Sequence, residues 1–91
     1  LLATGLVASD VHWIAPVPDR CEAQIRSRHT AAPCSLVELP EERLLVQFDE
    51  PQSAVAPGQA VAFYAGDRVL GGGWIAGAKR ERTPSSRLPV A

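Results

Sequence analysis

Two cysteines, Cys21 and Cys34, and two histidines, His12 and His29, are the residues of this chain suited to nucleophilic or metal chemistry. Their spacing matches no zinc pattern, because a structural zinc site draws four sulfur or nitrogen ligands from close pairs. Two cysteines also make no disulfide framework. They read as half-buried thiols in neighbouring strands of a reduced cytosolic protein, with a redox or sulfur-carrying pair as the sharper alternative. No serine, histidine and aspartate stand at triad spacing, and no carboxylate pair is framed for acid–base work. Gly71-Gly72-Gly73 does not lead into a helix, so it is not a phosphate loop. No catalytic residue and no metal ligand are assigned. What remains is recognition chemistry. Arg26 and Arg28 stand two apart on one strand face with His29 beside them. Arginine there can fork onto a phosphate or stack on a base. The alternative is a solvated outer face pairing with Glu22 or a neighbouring strand, which contributes little to stability.

These residues must be positioned by strands. Cys21 to Arg28 alternates cleanly: Cys21, Ala23, Ile25 and Ser27 face one way, and Glu22, Gln24, Arg26 and Arg28 the other. That is the pattern of a half-buried antiparallel strand with a wet outer face. Asp10 to Ile14 alternates before it and reads as a first strand, with Leu1 to Ser9 as a run-in from a previous domain, partly strand. Asp10 itself reads as a local turn residue. His12 reads as a surface or edge histidine. Ser35 to Leu39 makes a third strand with Val37 and Leu39 inward. Pro40 to Arg43 is a charged hairpin connection, and Leu44, Val46 and Phe48 form the core face of a fourth strand. No segment holds a 3.6-residue period.

The stretch from Pro51 to Ile75 supplies the corners. Pro57-Gly58 is a turn in which proline presets one torsion and glycine accepts a positive φ. Ala60 to Tyr64 is a fifth strand with Val61 and Phe63 on one face. Ala65-Gly66-Asp67 is a tight hairpin loop, and Val69-Leu70 begins the sixth strand. Gly71, Gly72 and Gly73 inside that strand signal a bulge, a bend or a close backbone approach. Trp74-Ile75 then resumes apolar burial, and both Trp13 and Trp74 read as core or rim packing. Gln52 and Gln59 sit in turns suited to backbone bonds. Turn chemistry between strands every eight to twelve residues or so gives an all-β chain, a barrel or sandwich.

Composition sets limits on partners. The chain has 91 residues, 46% of them hydrophobic, which bounds it to one small domain. No apolar run is long enough for a membrane-spanning helix, and the apolar start lacks the basic flank of a signal peptide. With no initial methionine, it reads as a piece of a larger protein. The net charge of −1 hides an asymmetry: the residues after Ile75 carry +3 and the body −4. An acidic body is a poor general binder of nucleic acid, so any RNA contact must be local. Residues 1–77 are expected to form the barrel. Residues 78–91, with Lys79, Arg80, Arg82 and Arg87, are expected to be a flexible basic tail.

The segment AVAPGQAVAFYAGDRVLGGGWI resembles the signature of the C-terminal domain of bacterial and organellar tRNA-specific 2-thiouridylases. That pattern runs roughly PQ-basic-A-V-x-PGQ-x-x-V-F-Y-x-G-x-x-x-LGGG-x-I. Asp10 to Ile14 is similar to the family's DVNW segment, with His12 in place of asparagine. Ile25 to His29 is similar to its IRYRQ/H segment, with Ser27 in place of tyrosine. Ser53 stands where arginine commonly follows the Pro-Gln pair. The three segments occur in family order and cover most of residues 1–77. The resemblance implies a small six-stranded antiparallel β-barrel like domain II of elongation factors. It also implies a cytoplasmic parent enzyme that uses ATP to activate the wobble uridine of tRNA and replaces its 2-oxygen through a cysteine persulfide. The barrel would assist tRNA recognition through Arg26, Arg28 and His29 beside the catalytic domain of the same chain, with a sulfur-carrier protein as donor. The family's ATP-pyrophosphatase loop and the segments bearing its catalytic cysteines are not found in these residues, so no cofactor is expected in this fragment. Two other readings stay open: a stand-alone β-barrel module that binds RNA or protein, and a structural interdomain lid.

Overall fold

Where polar and apolar residues alternate, one face of each strand must be covered, and six short strands cover theirs most economically by closing on themselves. The computed structural model describes residues 2–25 and 30–80 and shows that solution. Its strands are β1 (Leu2–Trp13), β2 (Arg20–Ile25), β3 (Ala32–Leu39), β4 (Arg43–Ser53), β5 (Ala60–Ala65) and β6 (Arg68–Arg80). They form a closed barrel in the order β1-β4-β3-β2-β5-β6, with every neighbouring pair antiparallel. Inside lie Leu6, Ala8, Val11, Ile25, Leu36, Leu44, Val46, Val55, Val61, Phe63 and Ile75, among others. Among the described residues no polar or charged side chain is buried.

The first strand is longer than the alternation suggested. β1 starts at Leu2, and Leu6 and Ala8 point inward before Val11 does. Two irregularities hide this from a period-2 reading. One falls between Ala3 and Gly5, the other between Ser9 and His12, where Asp10 takes φ of 51°. Each bulge switches which residues face the core. Asp10 is thus a bulge residue within the strand rather than a turn residue ahead of it. In β3 the phase is the reverse of the one expected. Cys34 and Leu36 are buried, whereas Val37 is 46% exposed. Adjacent Leu36 and Val37 fit either phase, and pairing of Cys34 with inward Cys21 selects the first. The last strand continues past residue 77: Ala78, Lys79 and Arg80 pair with Leu6, Gly5 and Ala3. The rest of the basic segment, 81–91, lies outside the described residues.

The turns follow their residue types. Gly58 has φ of 91°, and its amide donates to the Ile75 carbonyl at 2.8 Å while the Ile75 amide donates to the Gln59 carbonyl at 2.7 Å. The Pro57-Gly58 corner is thereby tied to β6. Gln59 Oε1 accepts from the Ala56 amide, and Gln52 donates to the Glu50 carbonyl, as their turn positions suggested. Gly66, with φ of 62°, opens the two-residue turn between Ala65 and Arg68.

Closure rests on the glycine triplet, and the reason is space. Phe63 on β5 pairs with Gly71 on β6, which pairs with Trp13 on β1. Across that bare position the two aromatic rings meet, stacked with centroids 5.1 Å apart and planes 24° from parallel. A Cβ on Gly71 would sit 2.5 Å from the His12 carbonyl oxygen and 2.8 Å from Trp13 Cε3. One on Gly73 would sit 2.8 Å from the Ser9 carbonyl oxygen, and one on Gly72 3.0 Å from that of Val61. Of the three readings of the triplet, close backbone approach and a bulge are both found, since Phe63 pairs with Gly71 and Tyr64 with Val69, leaving Leu70 as an extra residue beside the glycines. Gly71→Ala is expected to cost at least about 2 kcal/mol in urea unfolding, through overpacking and a displaced ring stack. Ala54, held at φ of 60°, offers the opposite sign. Ala54→Gly relieves left-handed strain and should raise stability by about 0.5 kcal/mol. Equal midpoints for these two variants would contradict the steric account.

Candidate nucleic-acid interface

Arg26, Arg28 and His29 lie outside the described residues, so the site expected from them is defined only by its frame. Ile25, the last described residue before them, sits on β2 opposite Val61 of β5. The outward residues of β2, β5 and β6 around that point form one surface. Gln24 pairs with Ala62, which pairs with Gly72, which pairs with His12 of β1. One row over, Ala60 pairs with Trp74, and Glu22 pairs with Tyr64. The row of alanine and glycine makes a shallow floor between two aromatic side chains. A depression of about 330 Å³ lies there, lined by Gln24, Ala60, Val61, Ala62 and Tyr64.

Trp74 is 52% exposed and does not resume burial as its neighbours suggested. The triplet sets this outcome. Gly71, Gly73 and Ile75 face inward, so Gly72 and Trp74 face out. Trp13, by contrast, packs against the core. His12 is exposed, the surface position expected of it. Tyr64 is the surface residue that sequence reading did not single out; Gln24 was placed on the outer face and Trp74 in the core or rim. The signal available was parity: counting outward from buried Phe63 and Ile75 assigns all of β5 and this part of β6.

The described residues of the barrel carry more acidic than basic side chains. Among the described residues, five basic side chains face nine acidic ones. Arg20 donates to Ser35 Oγ at 2.9 Å and forms an exposed ion pair with Asp49. Arg80 donates to the Val55 carbonyl at 3.5 Å. Glu22, one candidate partner for the arginines, accepts from the Gly66 amide at 3.1 Å. The Arg20 hydrogen bond holds the Asp49 carboxyl below its ordinary range. Val11, Trp13, Val17, Leu39 and Leu44 line a second depression of about 290 Å³, together with Glu38, Glu42 and Arg43. Among the described residues no group of three or more His, Cys, Asp and Glu side chains could hold a metal ion. No helix there is long and apolar enough to cross a membrane.

Fold and surface together define a class, a closed six-stranded antiparallel barrel with a small-residue floor between aromatics on its outer face. The chain belongs to the aminomethyltransferase β-barrel domain family, whose pattern matches residues 3–75. It is also similar to tRNA-specific 2-thiouridylases and corresponds to their C-terminal barrel domain. It is 54% identical over 74 residues to that of Syntrophotalea carbinolica, a match covering 78% of this chain and 21% of the relative. Identity is 45% over 89 residues with that of Geotalea uraniireducens, covering 94% of this chain and 24% of the relative. It is 43% with that of Enterobacter sp. strain 638, covering 100% and 23%. The chain therefore spans less than a quarter of the length of these curated relatives.

Two tests follow from the surface. Trp74→Ala should leave stability within about 0.5 kcal/mol of wild type, whereas Trp13→Ala should cost at least about 2 kcal/mol. Similar losses for the two would place Trp74 in the core. The second test uses acid. Because the folded Asp49 pKa is depressed, its contribution is present above the unfolded value and disappears as pH falls through the folded one. Asp49→Asn should therefore flatten the acid limb of a Tm-against-pH curve, and an unaltered limb would show that the ion pair contributes nothing.

Proposed function

We propose that this barrel serves a tRNA 2-thiouridylase as a module without chemistry of its own, helping to frame the surface on which the tRNA lies. The observation that carries the reading is the match of the whole closed barrel to enzymes named for that reaction, at up to 54% identity. The parent acts in the cytoplasm. It uses ATP, on its catalytic domain, to activate the wobble uridine and takes sulfur from a sulfur-carrier protein. The barrel closes beside that domain and reaches the tRNA backbone through Arg26, Arg28 and His29. Arginine suits that task because its planar fork meets phosphate oxygens in pairs. The acidic balance of the described residues favours a second reading, a lid that packs on the catalytic domain and touches tRNA little.

Charge reversal at Arg26 and Arg28 in the full-length parent separates the two. If both arginines meet phosphates, the slope of log affinity against log salt should become shallower by about 1.4 to 1.8, one counterion-release increment for each contact. An unchanged slope removes the arginines as phosphate ligands and leaves the lid. The purified 91-residue chain is expected neither to hydrolyse ATP nor to thiolate tRNA, and turnover by it would overturn the non-catalytic assignment.

A further inference from the structure

The two thiols, which the proposed function does not use, are brought together by the fold. Cys21 on β2 and Cys34 on β3 are directly opposed in register. Their Sγ atoms are 3.9 Å apart, both cysteines are free, and Cys34 Sγ donates to the Cys21 carbonyl at 3.5 Å. The Leu36 amide donates to the Asp19 carbonyl at 2.9 Å, two residues along each strand. That places the cysteines at a hydrogen-bonded position of the ladder, where opposed Cα atoms stand about 5.5 Å apart. Disulfides span about 4.4 to 6.8 Å between Cα atoms, so the sulfurs can join by side-chain rotation with the strands in place.

We propose that Cys21 and Cys34 are an oxidation site, a cross-strand dithiol that closes reversibly to a disulfide when the chain meets a peroxide. The two sulfurs differ in role. Cys21 is 9% exposed and Cys34 is fully buried. The sulfur–sulfur contact favours the Cys21 thiolate, while that same contact and burial hold the Cys34 proton in place. The Cys21 thiolate attacks one oxygen of the peroxide, the O–O bond breaks, and hydroxide leaves and takes up a proton. Cys21 is then a sulfenic acid. Cys34 sulfur attacks Cys21 sulfur, the S–O bond breaks, and the departing hydroxide takes the Cys34 proton as water. Two thiols and one hydrogen peroxide become one disulfide and two waters, the two electrons passing from sulfur to oxygen. The bond staples β2 to β3, the strands flanking the stretch that bears Arg26, Arg28 and His29.

The test is mild hydrogen peroxide on the folded chain, then denaturation, alkylation and intact mass measurement. The expected product is a monomer lighter by two hydrogens that takes no alkyl group until reduced with dithiothreitol, with Tm raised by about 10 °C. Cys34→Ser should stop at the sulfenic acid, trapped as a dimedone adduct, and Cys21→Ser should react far more slowly. Two alkylatable thiols after treatment would overturn the site. So would added oxygens without a crosslink, or disulfide-linked dimers. A Cys34→Ser variant inert to peroxide would overturn the order of attack.

Discussion

The structure depends on the contact between Trp13 and Phe63, made across a residue that has no side chain. The rings belong to strands that are not neighbours, since β6 runs between β1 and β5. Any side chain on Gly71 would fill the gap they close. The glycine gives up packing of its own, and the flanking aromatics replace it with a larger buried area than a single side chain could supply. The same absence of Cβ atoms lets β6 lie tight against the Ser9, His12 and Val61 carbonyls. Closure, core filling and the seam between the last strand and the first are therefore one event rather than three.

Much of the barrel was legible because its strands keep one phase. β2, β4 and β5 bury Cys21, Ala23 and Ile25, then Leu44, Val46 and Phe48, then Val61 and Phe63, as alternation alone indicates. The places it failed share a physical cause. In β1 the αL residue Asp10 and the bulge near Gly5 flip the inward set, so a strand of 12 residues showed only its last few. In β3 two adjacent aliphatic residues left the phase undetermined locally, and a cross-strand partner settled it. Trp74 misled because hydrophobicity was weighed above parity. The glycines were recognisable as punctuation, but which strand presses on them is a long-range fact that no local pattern contains.

The candidate interface was legible in a different sense. Arg26 and Arg28 stood out by type and spacing, yet the described surface around Ile25 is made largely of residues with no individual signal. Ala60, Ala62 and Gly72 matter only as a set, because three strands bring their small side chains to one face. Tyr64 and Trp74 flank them for the same reason. A surface of this kind presents flat aromatic groups without a concentration of positive charge. Stacking tolerates any base, whereas phosphate attraction needs cations, and the described residues carry more carboxylates than basic groups.

That imbalance bears on how a barrel can help an enzyme handle RNA. Long-range attraction to a polyanion falls when the approaching face is acidic, and salt screens it further beyond roughly 10 Å. An acidic face of this kind adds little long-range attraction of its own for a polyanion. Within the barrel itself, three of the described basic residues, Arg20, Arg43 and Arg80, are directed to protein acceptors.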